Sequence, residues 1–67
     1  MALTNRLKVL RAERGWSQEE LGERVGVSRQ AINMIERGKH APSLQIAFKI
    51  GRVFELPIES IFEDQSA

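Results

Sequence analysis

The chain has 67 residues, ten Lys or Arg against nine Asp or Glu, one His and no Cys. This length is that of one small domain, 1–67, whose core is marginal unless good helix packing or a second copy of the chain reinforces it. Without cysteine there are no disulfides, thiolate metal sites or thiol redox sensing, and His40 alone cannot hold a metal, so no metal or cofactor is expected.

In chain order the pattern predicts five helices and no strand, with a core over about 5–62. The first helix spans roughly 5–14, with Leu7, Leu10 and Leu3 along one side, and Gly15 ends it. Ser17 suits an N-cap, and Glu20 three residues on would complete a capping box. Trp16, just before that cap, fills core and is a candidate staple on Leu21. The second helix runs from about 18 to 25, and Gly26 takes the left-handed position after it. Ser28 caps the third helix, 29–37, which Gly38 stops before the turn Lys39-His40-Ala41-Pro42. Ser43 caps the fourth, about 44–54, whose Leu44, Ala47, Ile50 and Phe54 recur at three and four. Pro57 opens a last short helix through Ile58, Ile61 and Phe62, and Gln65-Ser66-Ala67 reads as a frayed end.

Helices two and three carry the function. Leu21, Val25, Val27, Ile32 and Ile35 face inward, and Gly22, lacking a side chain, lets the two helices approach closely. Such a pair is a helix-turn-helix, whose second helix can enter the major groove of DNA. With Ala31, Ile32 and Ile35 buried, the third helix presents Arg29, Gln30, Asn33, Met34 and Arg37 as one continuous face. Arg pairs with guanine O6 and N7, Gln and Asn with adenine, and an apolar tip packs on the thymine methyl. Arg29, Gln30, Asn33 and Met34 are the candidate base readers. Gln18 and Ser28, at two helix starts with unpaired N–H groups, are candidate phosphate contacts. Arg37, Lys39 and His40 are further ones, although His40 could equally be a plain loop residue.

Charge is segregated. Residues 1–14 carry a net +3, 15–25 a net −2, 26–54 a net +4 and 55–67 a net −4. A basic half around the third helix suits a phosphate backbone, and the acidic tail belongs away from it. Glu36 is the one acid of segment 26–54, and it would oppose DNA unless it faced a base within the protein. Arg11, on the first helix near the same core, is the candidate partner, forming a bridge from helix one to helix three. Val53, Leu56, Ile58, Ile61 and Phe62 are more apolar surface than a short last helix can bury, so part of this set is expected at a homodimer interface.

The chain resembles the Cro and phage-repressor type of helix-turn-helix proteins, often called the XRE family. The matching pieces are Leu10-Arg11 with Gly15, Ser17-Gln18-Glu19-Glu20-Leu21, Gly26-Val27-Ser28-Arg29-Gln30, Ile35-Glu36-Arg37-Gly38, Pro42-Ser43-Leu44 and Ile58-Glu59-Ser60-Ile61-Phe62. The resemblance implies a compact all-α five-helix bundle of the lambda-repressor type. It further implies a homodimer on a two-fold symmetric operator in double-stranded DNA, the same base and phosphate residues, and the Arg11–Glu36 bridge. Gly22 and Gly51 stand where the family usually has alanine, which costs each helix about 0.5–1 kcal/mol unless closer packing compensates.

The function expected is sequence-specific regulation of transcription, with repression by covering a promoter as its simplest form. Activation through the acidic Glu19, Glu20 and Glu23 face is a second possibility. The alternative is a protein-interaction or antitoxin-type module with a protein partner. Serines 17, 28 and 43 are all explained as caps, and no nucleophile motif or glycine-rich phosphate loop is present, so neither an enzyme nor a small-molecule substrate is expected. With no apolar run long enough for a membrane and no signal-peptide pattern in Met1-Ala2-Leu3-Thr4-Asn5-Arg6, a cytoplasmic, nucleoid-associated protein is expected.

Overall fold

Three serines start three of the four α-helices in the computed structural model, which describes residues 3–65. The order is β1 (Leu3–Asn5), α1 (Leu7–Arg14), α2 (Gln18–Val25), α3 (Arg29–Glu36), α4 (Leu44–Phe54), a single 3₁₀ turn (Ile58–Ser60) and β2 (Phe62–Asp64). The Ser17 and Ser28 hydroxyls accept from the Glu20 and Ala31 N–H groups at 3.0 Å, and Ser43 from that of Ile46 at 3.1 Å. Each side chain thereby satisfies an N–H that has no carbonyl within its helix. The capping box at Ser17 is only half made, because the Glu20 carboxylate pairs with Arg24 at 2.9 Å.

All four helices end the same way. The N–H of the residue five positions on turns back onto a last-turn carbonyl: Trp16 to Arg11, Val27 to Gly22 and Lys39 to Met34 at 2.9 Å, and Leu56 to Gly51 at 3.0 Å. This Schellman reversal needs a left-handed residue just before its last member. Gly15, Gly26 and Gly38 supply it in the first three; Glu55, with φ of 58°, supplies it in the fourth. Gly22 and Gly51 lie under two of these reversals. A Cβ on Gly22 would stand 2.7 Å from the Val27 carbonyl oxygen, and one on Gly51 would stand 3.0 Å from that of Leu56. Closer packing is therefore what both glycines provide in return for their helix penalty.

The chain's ends correct the expected five-helix, strand-free bundle. No fifth α-helix forms among the described residues. Ile58–Ser60 makes one 3₁₀ turn, and Phe62–Asp64 pairs antiparallel with Leu3–Asn5, placing Leu3 opposite Asp64 and Asn5 opposite Phe62. The Arg6 N–H donates to the Ile61 carbonyl at 2.9 Å, at the margin of the same sheet. This pairing joins segments almost a chain length apart, so no local periodicity announces it. Leu3 lies in this strand rather than along a helix, and α1 begins at Leu7 instead of near Asn5. The Asn5 side chain explains the later start. Its Oδ1 accepts from the Leu7 N–H at 3.1 Å, and its Nδ2 donates to the Ile35 carbonyl at the end of α3 at 3.0 Å. Ser66 and Ala67, part of the frayed end read from sequence, lie outside the described residues.

Leu7, Leu10, Leu21, Val25, Ile32, Ile35, Ala47, Ile50, Phe54 and Ile61 form the buried core. Trp16 packs at its edge, its ring 5.4 Å from that of Phe54. Among the described residues no helix is long and apolar enough to cross a membrane.

Two substitutions test the reversals. Gly22→Ala is expected to destabilise by about 1–3 kcal/mol, since the overpacking exceeds the helix-propensity gain; thermal unfolding should show a drop of about 4–8 °C per kcal/mol. Glu55→Gly should act oppositely, removing left-handed strain and raising the midpoint by about 1 kcal/mol equivalent in the same assay.

Candidate nucleic-acid interface

The exposed face of α3 is held in place from behind by one ion pair. Arg11 Nε donates to Glu36 Oε2 at 2.5 Å and Nη2 to Oε1 at 3.0 Å, a two-pronged contact with side chains 13% and 7% exposed. Arg11 Nη1 also donates to the Trp16 carbonyl at 3.0 Å, binding the end of α1 into the same knot. The hydrogen bonds that Arg11 donates to the Glu36 carboxylate raise the Arg11 pKa above the usual arginine range, against a smaller opposing effect of burial. A folded-state pKa above the unfolded one contributes stability that is complete below the unfolded value and lost only above it. The arginine half of the bridge therefore stays charged through any ordinary pH.

The Gln18 side chain is part of this network rather than extended toward solvent. Its Nε2 donates to Glu36 Oε1 at 3.1 Å, and its Oε1 accepts from Asn33 Nδ2 at 3.4 Å. Its position at the start of α2 is as expected, but its amide is committed inward. The Ser28 hydroxyl caps α3 and is exposed. Arg29 and Gln30 are exposed in the first turn of α3, and Asn33 and Met34 follow one turn later, half-buried. Met34 borders an apolar hollow with Val27, Ala31, Pro42 and Ile46, so its side chain is partly accounted for by packing. Arg37, Lys39 and His40 continue the exposed surface past the helix end.

Two other arginines serve the fold. Arg24 lies over the Trp16 ring at 4.2 Å, and Arg14 lies over it at 5.4 Å while donating from Nη2 to the Phe54 carbonyl at 3.0 Å. Sequence reasoning gave neither a role; their position either side of an aromatic at a helix junction is the only trace they leave there.

The apolar residues near the C-terminal end need correction. Ile61 is 1% exposed and belongs to the core, so it has no surface to offer a second copy. Val53, Leu56 and Phe62 pack against that core with part of their surface free, and Ile58 is half-buried. Leu44, which shares helical spacing with Ala47, Ile50 and Phe54, is nevertheless 70% exposed, and Phe48 one turn later is 51% exposed. Leu44, Ala47, Ile58 and Phe62 line one shallow apolar groove with Leu3 and Pro42.

The model of the helix-turn-helix family HTH_3 matches residues 7–61. This chain belongs to that family, the XRE type of helix-turn-helix proteins. Among the family's members, the uncharacterized HTH-type transcriptional regulator YgzD of Bacillus subtilis is 48% identical over 60 residues, covering 90% of this chain and 91% of that one. The uncharacterized HTH-type transcriptional regulator MJ0272 of Methanocaldococcus jannaschii is 50% identical over 60 residues, with the same coverage of 90% and 91%. The N-terminal DNA-binding domain of SinR from Bacillus subtilis aligns with a TM-score of 0.73 at 34% identity, over 82% of this chain and 81% of its own. SinR in complex with DNA aligns with the same TM-score of 0.73 and 34% identity, over 82% and 89% of the two chains.

A double-mutant cycle tests the support of the helix-turn-helix. Arg11→Met and Glu36→Leu are each expected to cost about 3 kcal/mol in urea unfolding, because each leaves a largely buried charge without its partner. The double variant should lose clearly less than the two together. Unchanged midpoints for both single variants would mean that the bridge contributes nothing.

Proposed function

We propose that this protein is a DNA-binding transcriptional regulator that binds a palindromic operator as a homodimer and represses by covering the promoter. The observation that carries this reading is the face of α3: Arg29 and Gln30 exposed, Asn33 and Met34 beside them, on a helix braced by the Arg11–Glu36 bridge. α3 lies in the major groove, with Arg29, Gln30, Asn33 and Met34 at base edges. Phosphates meet the first N–H groups of α2 and α3, the latter with the Ser28 hydroxyl, and the side chains of Arg37, Lys39 and His40. At Gln18 the backbone N–H, rather than the committed amide, faces phosphate. The likeness to SinR, solved in complex with DNA, supports the same mode of use here.

Leu44 and Phe48, with Ile58 and Phe62 beyond them, form the face on which a second copy packs; Val53 lies on the opposite side of α4 from Leu44 and is outside that face. Two-fold pairing then sets the recognition helices about 34 Å apart, one turn of DNA. Occupancy alone represses in this scheme, since a covered promoter excludes polymerase.

Selection from a random duplex library at near-physiological salt, with competitor DNA, tests these points together. The wild type should enrich an inverted repeat with half-sites about one turn apart. The Leu44→Glu, Phe48→Glu variant should sediment as a monomer and enrich at most a half-site. A monomeric wild type would sink the dimer, and a wild type that enriches nothing would sink sequence-specific reading. A reporter whose expression rises with operator occupancy would contradict repression.

A further inference from the structure

A carboxamide can face a base in two ways, oxygen or nitrogen first, and the packing around α3 leaves only one for Asn33. Arginine carries donors only, so Arg11 requires acceptors of Glu36. Both Glu36 oxygens accept from it, and Oε1 accepts from Gln18 as well, which obliges Gln18 to turn Nε2 toward the carboxylate. The Gln18 oxygen is then the atom that meets Asn33, and Asn33 must offer it Nδ2. One N–H of Asn33 is consumed, and its oxygen and second N–H remain. An acceptor beside a donor is the pattern that matches adenine, whose N6 amine donates and whose N7 accepts.

We infer that Gln18 is a positioning residue: it relays the polarity of the Arg11–Glu36 pair to Asn33 and so makes adenine the base read at that point in the groove. The inference rests on α3 being the DNA-reading helix, as concluded above. It differs from a phosphate role for the Gln18 side chain in what a substitution changes. A phosphate contact alters affinity for every sequence alike. An orienting contact alters the preference at one base pair and leaves the others as they were.

The experiment is library selection on wild type, Asn33→Ala, Gln18→Met and Gln18→Lys, with melting curves confirming that each is folded. Asn33→Ala locates its base pair by flattening preference there alone. Wild type should favour adenine at that pair by roughly 5- to 150-fold, the range for a good bidentate contact. Gln18→Met, similar in shape but with no hydrogen bond to give, should lower that preference toward onefold while the pairs under Arg29 and Gln30 keep theirs. Gln18→Lys donates both to Glu36 and to Asn33, so the amide turns its N–H groups outward and the preferred base moves to guanine, which offers O6 and N7 as acceptors. If Gln18→Met does not fold, the lysine variant decides alone. Unchanged adenine preference in the folded Gln18 variants, or a uniform loss of affinity without change of preference, overturns the relay and leaves DNA reading intact. So does a flat response to Asn33→Ala. Absence of any enriched sequence with wild type overturns DNA reading itself, and the relay with it.

Discussion

The Arg11–Glu36 pair is the constraint around which the helices are arranged. A charge held away from water is tolerated only with a partner of good geometry and with its remaining hydrogen-bonding capacity used. Here the two-pronged contact, the Trp16 carbonyl and the Gln18 amide meet those conditions. Meeting them fixes where α1, α2 and α3 stand relative to one another, since each contributes one member. The helix that carries Arg29 and Gln30 is thus braced by a contact that cannot slide without leaving an ion unpaired. In so small a core, apolar packing alone would hold that angle less firmly.

Backbone economy complements the bridge. Each helix ends by folding the chain back over its own last turn, so the next segment departs immediately. Gly22 and Gly51 permit this where the returning carbonyl comes within a Cβ's reach. Between α2 and α3 the result is the tight turn that sets α3 against α2. Asn5 extends the same economy to the N-terminal strand, capping α1 with its oxygen and closing the end of α3 with its nitrogen.

Much of the site was legible in the residues. Ser17, Ser28, Ser43, Gly15, Gly26 and Gly38 act within four or five positions of themselves, and local hydrogen-bond geometry decides what they do. The Arg11–Glu36 pairing was reachable as well, because a lone acid in a basic segment needs an explanation. The Gln18 amide was not. At a helix start its side chain could face solvent or the core, and only the presence of Glu36 and Asn33 decides between them. Leu44 shows the reverse case: it keeps helical spacing with Ala47 and Phe54, yet sits at the rim of the core with most of its surface open.

The sequence by itself determined the four α-helices, the serine caps of α2, α3 and α4, the glycine ends of α1, α2 and α3, the composition of the α3 face and the family. Those features depend on capping, left-handed glycines and apolar periodicity, all of which operate over a few residues. Only the tertiary structure decided that Leu3–Asn5 and Phe62–Asp64 form a sheet, that Ile61 is core while Leu44 and Phe48 are surface, and that Gln18 turns inward. Each of these depends on which distant segment arrives beside it, and three-residue strands or a single amide leave no period in the sequence to predict that arrival.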